Sequence, residues 1–133
     1  MPIPLQITVD ARDPRRLAAF WAVALGYVLQ PPRPGYLVRT RAGSAEEQYT
    51  AIVDPTGIGP RMLFQRVPET KTVKNRVHLD VNAGHGAVDR RAAVRAHVAQ
   101  LVAAGATVLR EMQEGGGWWI VLSDPEGNEL CLQ

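Results

Sequence analysis

The sequence predicts an α+β protein in which one unit, a strand followed by a helix and then several strands, is used twice. Three observations carry that expectation. Two Asp-Pro-x-Gly turns, Asp54-Pro55-Thr56-Gly57 and Asp124-Pro125-Glu126-Gly127, lie 70 residues apart, each after an apolar strand-like run. Two strands with a polar face, Gln6-Ile7-Thr8-Val9-Asp10 and His78-Leu79-Asp80-Val81-Asn82, lie 72 residues apart. Each of these is followed by an amphipathic helical pattern, and offsets agreeing within two residues argue for duplication. At 133 residues the chain is sized for a single domain, 1–133, with a first module near 1–68 and a second near 76–133. Half that length would bury the faces of its own sheet poorly, so paired modules are expected.

The elements follow in order. Leu5 to Val9 alternates Leu5, Ile7 and Val9 with polar Gln6 and Thr8, the period of a half-buried strand. Asp13-Pro14 supplies a helix cap and a first-turn proline, and Leu17, Phe20, Trp21, Ala24 and Leu25 form one apolar stripe. Gly26 ends that helix because glycine tolerates the left-handed conformation there. Tyr27 to Leu29, Tyr36 to Thr40, Tyr49 to Val53 and Arg61 to Val67 read as strands, with Arg41 to Glu47 as a loop. Pro68 to Asn75 is a polar connection. Val77 to Val81 opens the second half, and a helix over Ala87 to Ala104 presents Ala87, Val94, Val98, Leu101 and Val102 before Gly105. Thr107 to Leu109, Trp118 to Leu122 and Glu129 to Leu132 are the remaining strands. Gly115-Gly116-Gly117 is a hairpin; no helix follows it, so it is not a phosphate loop.

Composition narrows the function. The net charge is +2 and no Lys/Arg run exceeds two residues, so no nucleic-acid footprint is expected. The longest uncharged stretch, between Arg16 and Arg33, is too short for a membrane span, which takes about 20 apolar residues. Met1-Pro2-Ile3-Pro4 lacks the basic start and apolar run of a signal peptide. One cysteine excludes a disulfide framework and any multi-thiolate zinc site. A cytoplasmic protein is the expectation. Strand parity puts Gln6, Gln65, His78 and Glu129 each on the face of its strand turned away from the helix, with Thr8, Asp80 and Cys131 beside them. Trp118 shares the more apolar parity and should pack under a helix. Trp119 points the other way, where an indole can stack on a flat ligand. His85 and His97 fall outside this set.

The residues Asp13-Pro14, Leu17, Phe20-Trp21 and Leu25-Gly26, the run Lys74-Asn75-Arg76-Val77-His78-Leu79-Asp80, and Asp124-Pro125-Glu126-Gly127-Asn128-Glu129 resemble those of the vicinal oxygen chelate superfamily. The similarity is to its glyoxalase-like and bleomycin-resistance branch and covers essentially the whole chain. The resemblance implies two βαβββ modules curling into a cup, with up to four residues around a divalent metal: Gln6, Gln65, His78 and Glu129. Gln65 departs from the family pattern by replacing a carboxylate with a neutral amide. Amides are weak ligands for nickel, zinc, manganese or iron(II), and Gln65 cannot move a proton, leaving Glu129 as the candidate catalytic base. Gln6 also stands where an iron dioxygenase of this kind would need a histidine.

Two functional classes follow. The first is a small-molecule-binding protein whose pocket is lined by Gln6, Thr8, Gln65, His78, Asp80, Trp119 and Cys131, sequestering a compound or acting without metal. The second is a metal-dependent lyase, isomerase or dioxygenase in which Gln6, Gln65, His78 and Glu129 hold the ion against vicinal oxygens of a substrate. The missing carboxylate at Gln65 favours the first. Cys131 lacks an activating base in the sequence pattern, so a nucleophilic role is not expected. Lys74-Asn75-Arg76 suits either an anchor for the connection or an anion contact. The resemblance also implies a homodimer.

Overall fold

The computed structural model describes residues 1–133, which divide into two compact units, 1–70 and 71–133. The first unit runs β1 (Ile7–Ala11), α1 (Pro14–Leu25), β2 (Val28–Leu29), β3 (Leu37–Arg39), β4 (Ala45–Glu47), β5 (Tyr49–Val53) and β6 (Met62–Arg66). The second runs β7 (Leu79–Val81), α2 (Arg90–Ala103), β8 (Thr107–Glu114), β9 (Gly117–Ser123) and β10 (Glu129–Leu132). Sheet order is β1-β6-β5-β2 in the first and β7-β10-β9-β8 in the second. The two orders are the same once β3 and β4 are set aside, so each unit is a βαβββ module. The outer strand pairs in parallel with the last strand of its module, and the other pairings are antiparallel.

In the first module the expected caps form. The Asp13 carboxylate accepts from the Arg16 amide at 3.2 Å, Pro14 occupies the first turn, and Gly26 adopts φ 69°. Leu17, Ala18, Phe20, Trp21 and Ala24 are buried and α1 packs on β5 and β6, whose Ile52, Met62 and Phe64 are fully buried. Each such side chain contributes about 1.5–3 kcal/mol of burial. The expected loop at 41–47 instead contains β4, paired with β3 around a turn at Gly43. Its residues Ala45-Glu46-Glu47 lack strand propensity; the cross-strand ladder and the Thr40–Ser44 contacts supply what propensity does not.

In the second module α2 starts later than expected, at Arg90, because the Asp89 carboxylate caps the Ala92 amide at 3.0 Å. Ala87 thus precedes the helix, and Val102 is exposed; Val94, Val98 and Leu101 form the buried stripe. Strand β8 runs to Glu114, well past the expected Leu109, with a register shift between Val108 and Arg110. The connection to β9 is the two residues Gly115 and Gly116, both at positive φ (59° and 79°), a tight primed turn. The Asp-Pro-x-Gly turns close alike. The Asp54 and Asp124 carboxylates accept from the amide two residues on, and Gly57 and Gly127 adopt φ 76° and 87°. No helix is long and apolar enough to cross a membrane.

Candidate functional site

The second module carries a cavity of about 350 Å³ lined by Lys74, His78, Asp80, Arg110, Met112, Trp119, Val121, Glu129, Cys131 and Gln133. Its floor is the sheet face opposite to α2. His78 and Asp80 stand two residues apart on the β7 side, and Asp80 lies directly across the ladder from Cys131 on β10. His78 lies just ahead of β7 and Glu129 opens β10. Trp118 and Trp119 separate as parity requires. Trp118 is buried, with the guanidinium carbons of Arg91 and Arg95 from α2 at 4.8 and 5.2 Å from its ring centroid. Trp119 turns its indole to the cavity.

Glu129 is held by Lys74 and Asn75. Its carboxylate accepts from Lys74 Nζ at 2.6 Å, its amide donates to Asn75 Oδ1, and its carbonyl accepts from Asn75 Nδ2. The Lys74 hydrogen bond, reinforced by that lysine's charge, holds the carboxyl below its ordinary range. Lys74-Asn75 is therefore an anchor: the asparagine amide continues the β7 to β10 ladder beyond the end of β7. Sequence reading missed this contact because 55 residues separate Lys74 from Glu129.

His78, Asp80 and Cys131 gather instead. One donor atom from each lies within 4.8 Å of the others, and His78 Nδ1 is 3.1 Å from Asp80 Oδ1. Cys131 is buried while His78 and Asp80 are exposed at the cavity mouth. Burial foremost, and then the negative charge of Asp80, push the Cys131 thiol up to about 11. At neutral pH it is a protonated thiol. Arg110 also lines the cavity and has no carboxylate partner.

The first module treats its expected residues differently. Gln6 sits just before β1, where its Oε1 accepts from Arg61 Nη1 at 2.6 Å and its Nε2 donates to Thr8 at 3.3 Å. Arg61 also donates to Gln30 Oε1 and to the Tyr36 hydroxyl. Gln65 shares the face of Gln6 and Thr8 but pairs with Asp10. It lies four residues along the chain from Arg61, the hydrogen-bond partner of Gln6, or about 13 Å at ordinary strand rise. Gln6 and Gln65 are thus not brought together, and two amides so spaced cannot share one ion. The position equivalent to Glu129 is Arg61, because the first module has two more residues between its turn glycine and that rung. A family-type metal set therefore fits poorly here: one pair is split, and in the other the carboxylate is tied to an ammonium group.

Residues 6–133 match the family described as the glyoxalase-like domain. No curated protein matches the chain. Among solved structures, a glyoxalase/bleomycin resistance protein/dioxygenase family enzyme from Burkholderia phytofirmans is 19% identical, with a TM-score of 0.64 over 96% of this chain and 94% of its own. The genomically encoded fosfomycin resistance protein of Listeria monocytogenes, complexed with Mn(II) and 1S,2S-dihydroxypropylphosphonic acid, is 14% identical, with a TM-score of 0.68 over 100% and 93%. An oxidase, ChaP-H2, is 18% identical, with a TM-score of 0.63 over 99% and 93%. At these identities the structures share the fold. With the family matched over nearly all of its length and the tandem βαβββ modules in place, the chain belongs to the glyoxalase-like domain family, of the vicinal oxygen chelate fold.

Proposed function

We propose that this protein binds a small, flat, anionic molecule in the cavity of its second module and acts by holding it. The observation that carries the reading is the pairing, in one cavity, of the Trp119 indole with the unpartnered Arg110 guanidinium. An aromatic surface recognises a planar ring and a free guanidinium recognises a carboxylate or a similar anion. Met112 and Val121 add apolar wall, while His78, Asp80, Cys131 and Gln133 supply polar groups that orient a ligand. Sequestration of a toxic compound is the role such a site suits best. Gln6, Thr8 and Gln65 belong to the first module's polar face and are not among the residues lining this cavity.

The test is tryptophan fluorescence with p-nitrobenzoate as a flat anionic probe. Saturable quenching in the wild type is expected, with most of it lost in Trp119→Phe and the affinity weakened by about tenfold in Arg110→Gln, the worth of one charge-assisted contact. Unsaturable quenching that is the same in all three proteins would contradict the reading.

A second reading, a divalent-metal-dependent lyase, isomerase or dioxygenase, draws support from the His78, Asp80 and Cys131 donors rather than from Gln6, Gln65 and Glu129. In that case the metal would act as a Lewis acid on substrate oxygens. We also propose a cytoplasmic homodimer. The lone cysteine, carried as a buried thiol, suits a reducing compartment. Exposed Val28 and Leu29 on β2 and Val108 and Leu109 on β8 leave apolar edge strands for a second copy. Light scattering that returned the mass of one chain would rule out the dimer.

A further inference from the structure

We infer that His78, Asp80 and Cys131 form a thiolate-containing site for zinc, or a similar thiophilic divalent cation, within the second module. The site is distinct from the set that resemblance assigns, which would use Gln6, Gln65, His78 and Glu129. It rests on the same cavity as the proposed ligand site but on different observations.

The first is geometry. Tetrahedral zinc with bonds of about 2.0 Å to nitrogen and oxygen and about 2.3 Å to sulfur needs donors spaced by roughly 3.3–3.8 Å. His78 Nδ1 and Asp80 Oδ1 are already 3.1 Å apart, and all three donors fall within 4.8 Å. Small side-chain rotations close the remainder. The second is rigidity. Asp80 and Cys131 are register partners on β7 and β10, and His78, just ahead of β7, is tied to Asp80 by the contact of its Nδ1 with Oδ1. The ladder sets the spacing of Asp80 and Cys131, and the side-chain contact with Asp80 brings His78 beside them. The third is openness. All three line the cavity, so a fourth position faces the space where a ligand would sit.

The repeat provides an internal control. In the first module Thr8 pairs with Leu63 as Asp80 pairs with Cys131, and Gln6 takes the place of His78. The same fold positions there carry an amide, a hydroxyl and an aliphatic chain, with no thiol, imidazole or carboxylate. The donor cluster is therefore specific to the second module and not a by-product of the architecture. Its chemistry is also selective. One imidazole, one thiolate and one carboxylate suit zinc, whereas a hard cation such as manganese prefers oxygen donors throughout.

The experiment is titration of the reduced full-length protein with cobalt(II) followed by zinc(II). Expected are one equivalent of cobalt with a thiolate-to-cobalt charge-transfer band in the near ultraviolet, and displacement by zinc. The band should vanish in Cys131→Ser, and cobalt affinity should fall by at least about tenfold in Asp80→Asn and His78→Gln, both at exposed positions outside the core. Glu129→Gln should retain band and affinity. No uptake, uptake without a thiolate band, or uptake abolished by Glu129→Gln would each overturn the assignment. Quenching of Trp119 by p-nitrobenzoate in chelator-treated protein judges the ligand site separately, so failure of one reading leaves the other standing or falling on its own result.

Discussion

Glu129 shows how one residue's role depends on partners far away in the chain. Its carboxyl is held below its ordinary value by Lys74, so its contribution to stability is present above the unfolded-state value and is lost as pH falls through the folded one. An NMR titration of the Glu129 carboxyl should give a depressed midpoint that returns upward in Lys74→Met; an unchanged midpoint would mean that the ion pair does not form in solution. Gly59 is a second single-residue test. A Cβ there would run into the Tyr27 hydroxyl and crowd Asp54 Oδ2, which accepts the Gly59 amide at 2.7 Å. Gly59→Ala should therefore destabilise by about 1–3 kcal/mol in denaturant unfolding. At this scale sequence parity was informative about faces. It placed His78, Glu129, Cys131 and Trp119 together on one side of their strands, and all four line the cavity. It was blind to partners. That Asp80 meets Cys131, that Lys74 holds Glu129 and that Gln65 pairs with Asp10 are facts of cross-strand register, set by loop lengths and long-range pairing.

At the scale of elements, legibility followed local chemistry. Helix α1 could be read to the residue because Asp13, Pro14 and Gly26 mark both ends with side-chain and backbone chemistry of their own. Strand β8 could not, because Arg110, Glu111, Gln113 and Glu114 are polar on both faces and Leu109 falls at a register break. Cross-strand pairing with β9 extends it anyway, aided by the Gly115-Gly116 turn. Gly116→Val should cost about 1 kcal/mol or more, as a β-branched residue is forced to positive φ, while Gly115→Asn, a favoured residue in such turns, should be nearly neutral. Asp89→Ala should cost about 1 kcal/mol by removing the α2 cap. Thermal unfolding of the three variants checks the order, which equal losses in all three would refute.

For the molecule as a whole, the two modules share one topology and carry divergent polar faces. The first presents Gln6, Thr8, Arg61 and Gln65, a face of amides and a guanidinium in which Gln6 and Gln65 are too far apart to act on one ion. The second gathers an indole, a free guanidinium, an imidazole, a carboxylate and a thiol around one cavity. The groups of the proposed ligand site all lie within residues 74–133. The measurement that tests this most directly is amide NMR mapping of p-nitrobenzoate on the full chain. The expected result is saturable shift changes centred on His78, Asp80, Arg110, Trp119 and Cys131. Changes centred on Gln6, Thr8, Arg61 and Gln65, or scattered without saturation, would contradict a ligand site in the second module.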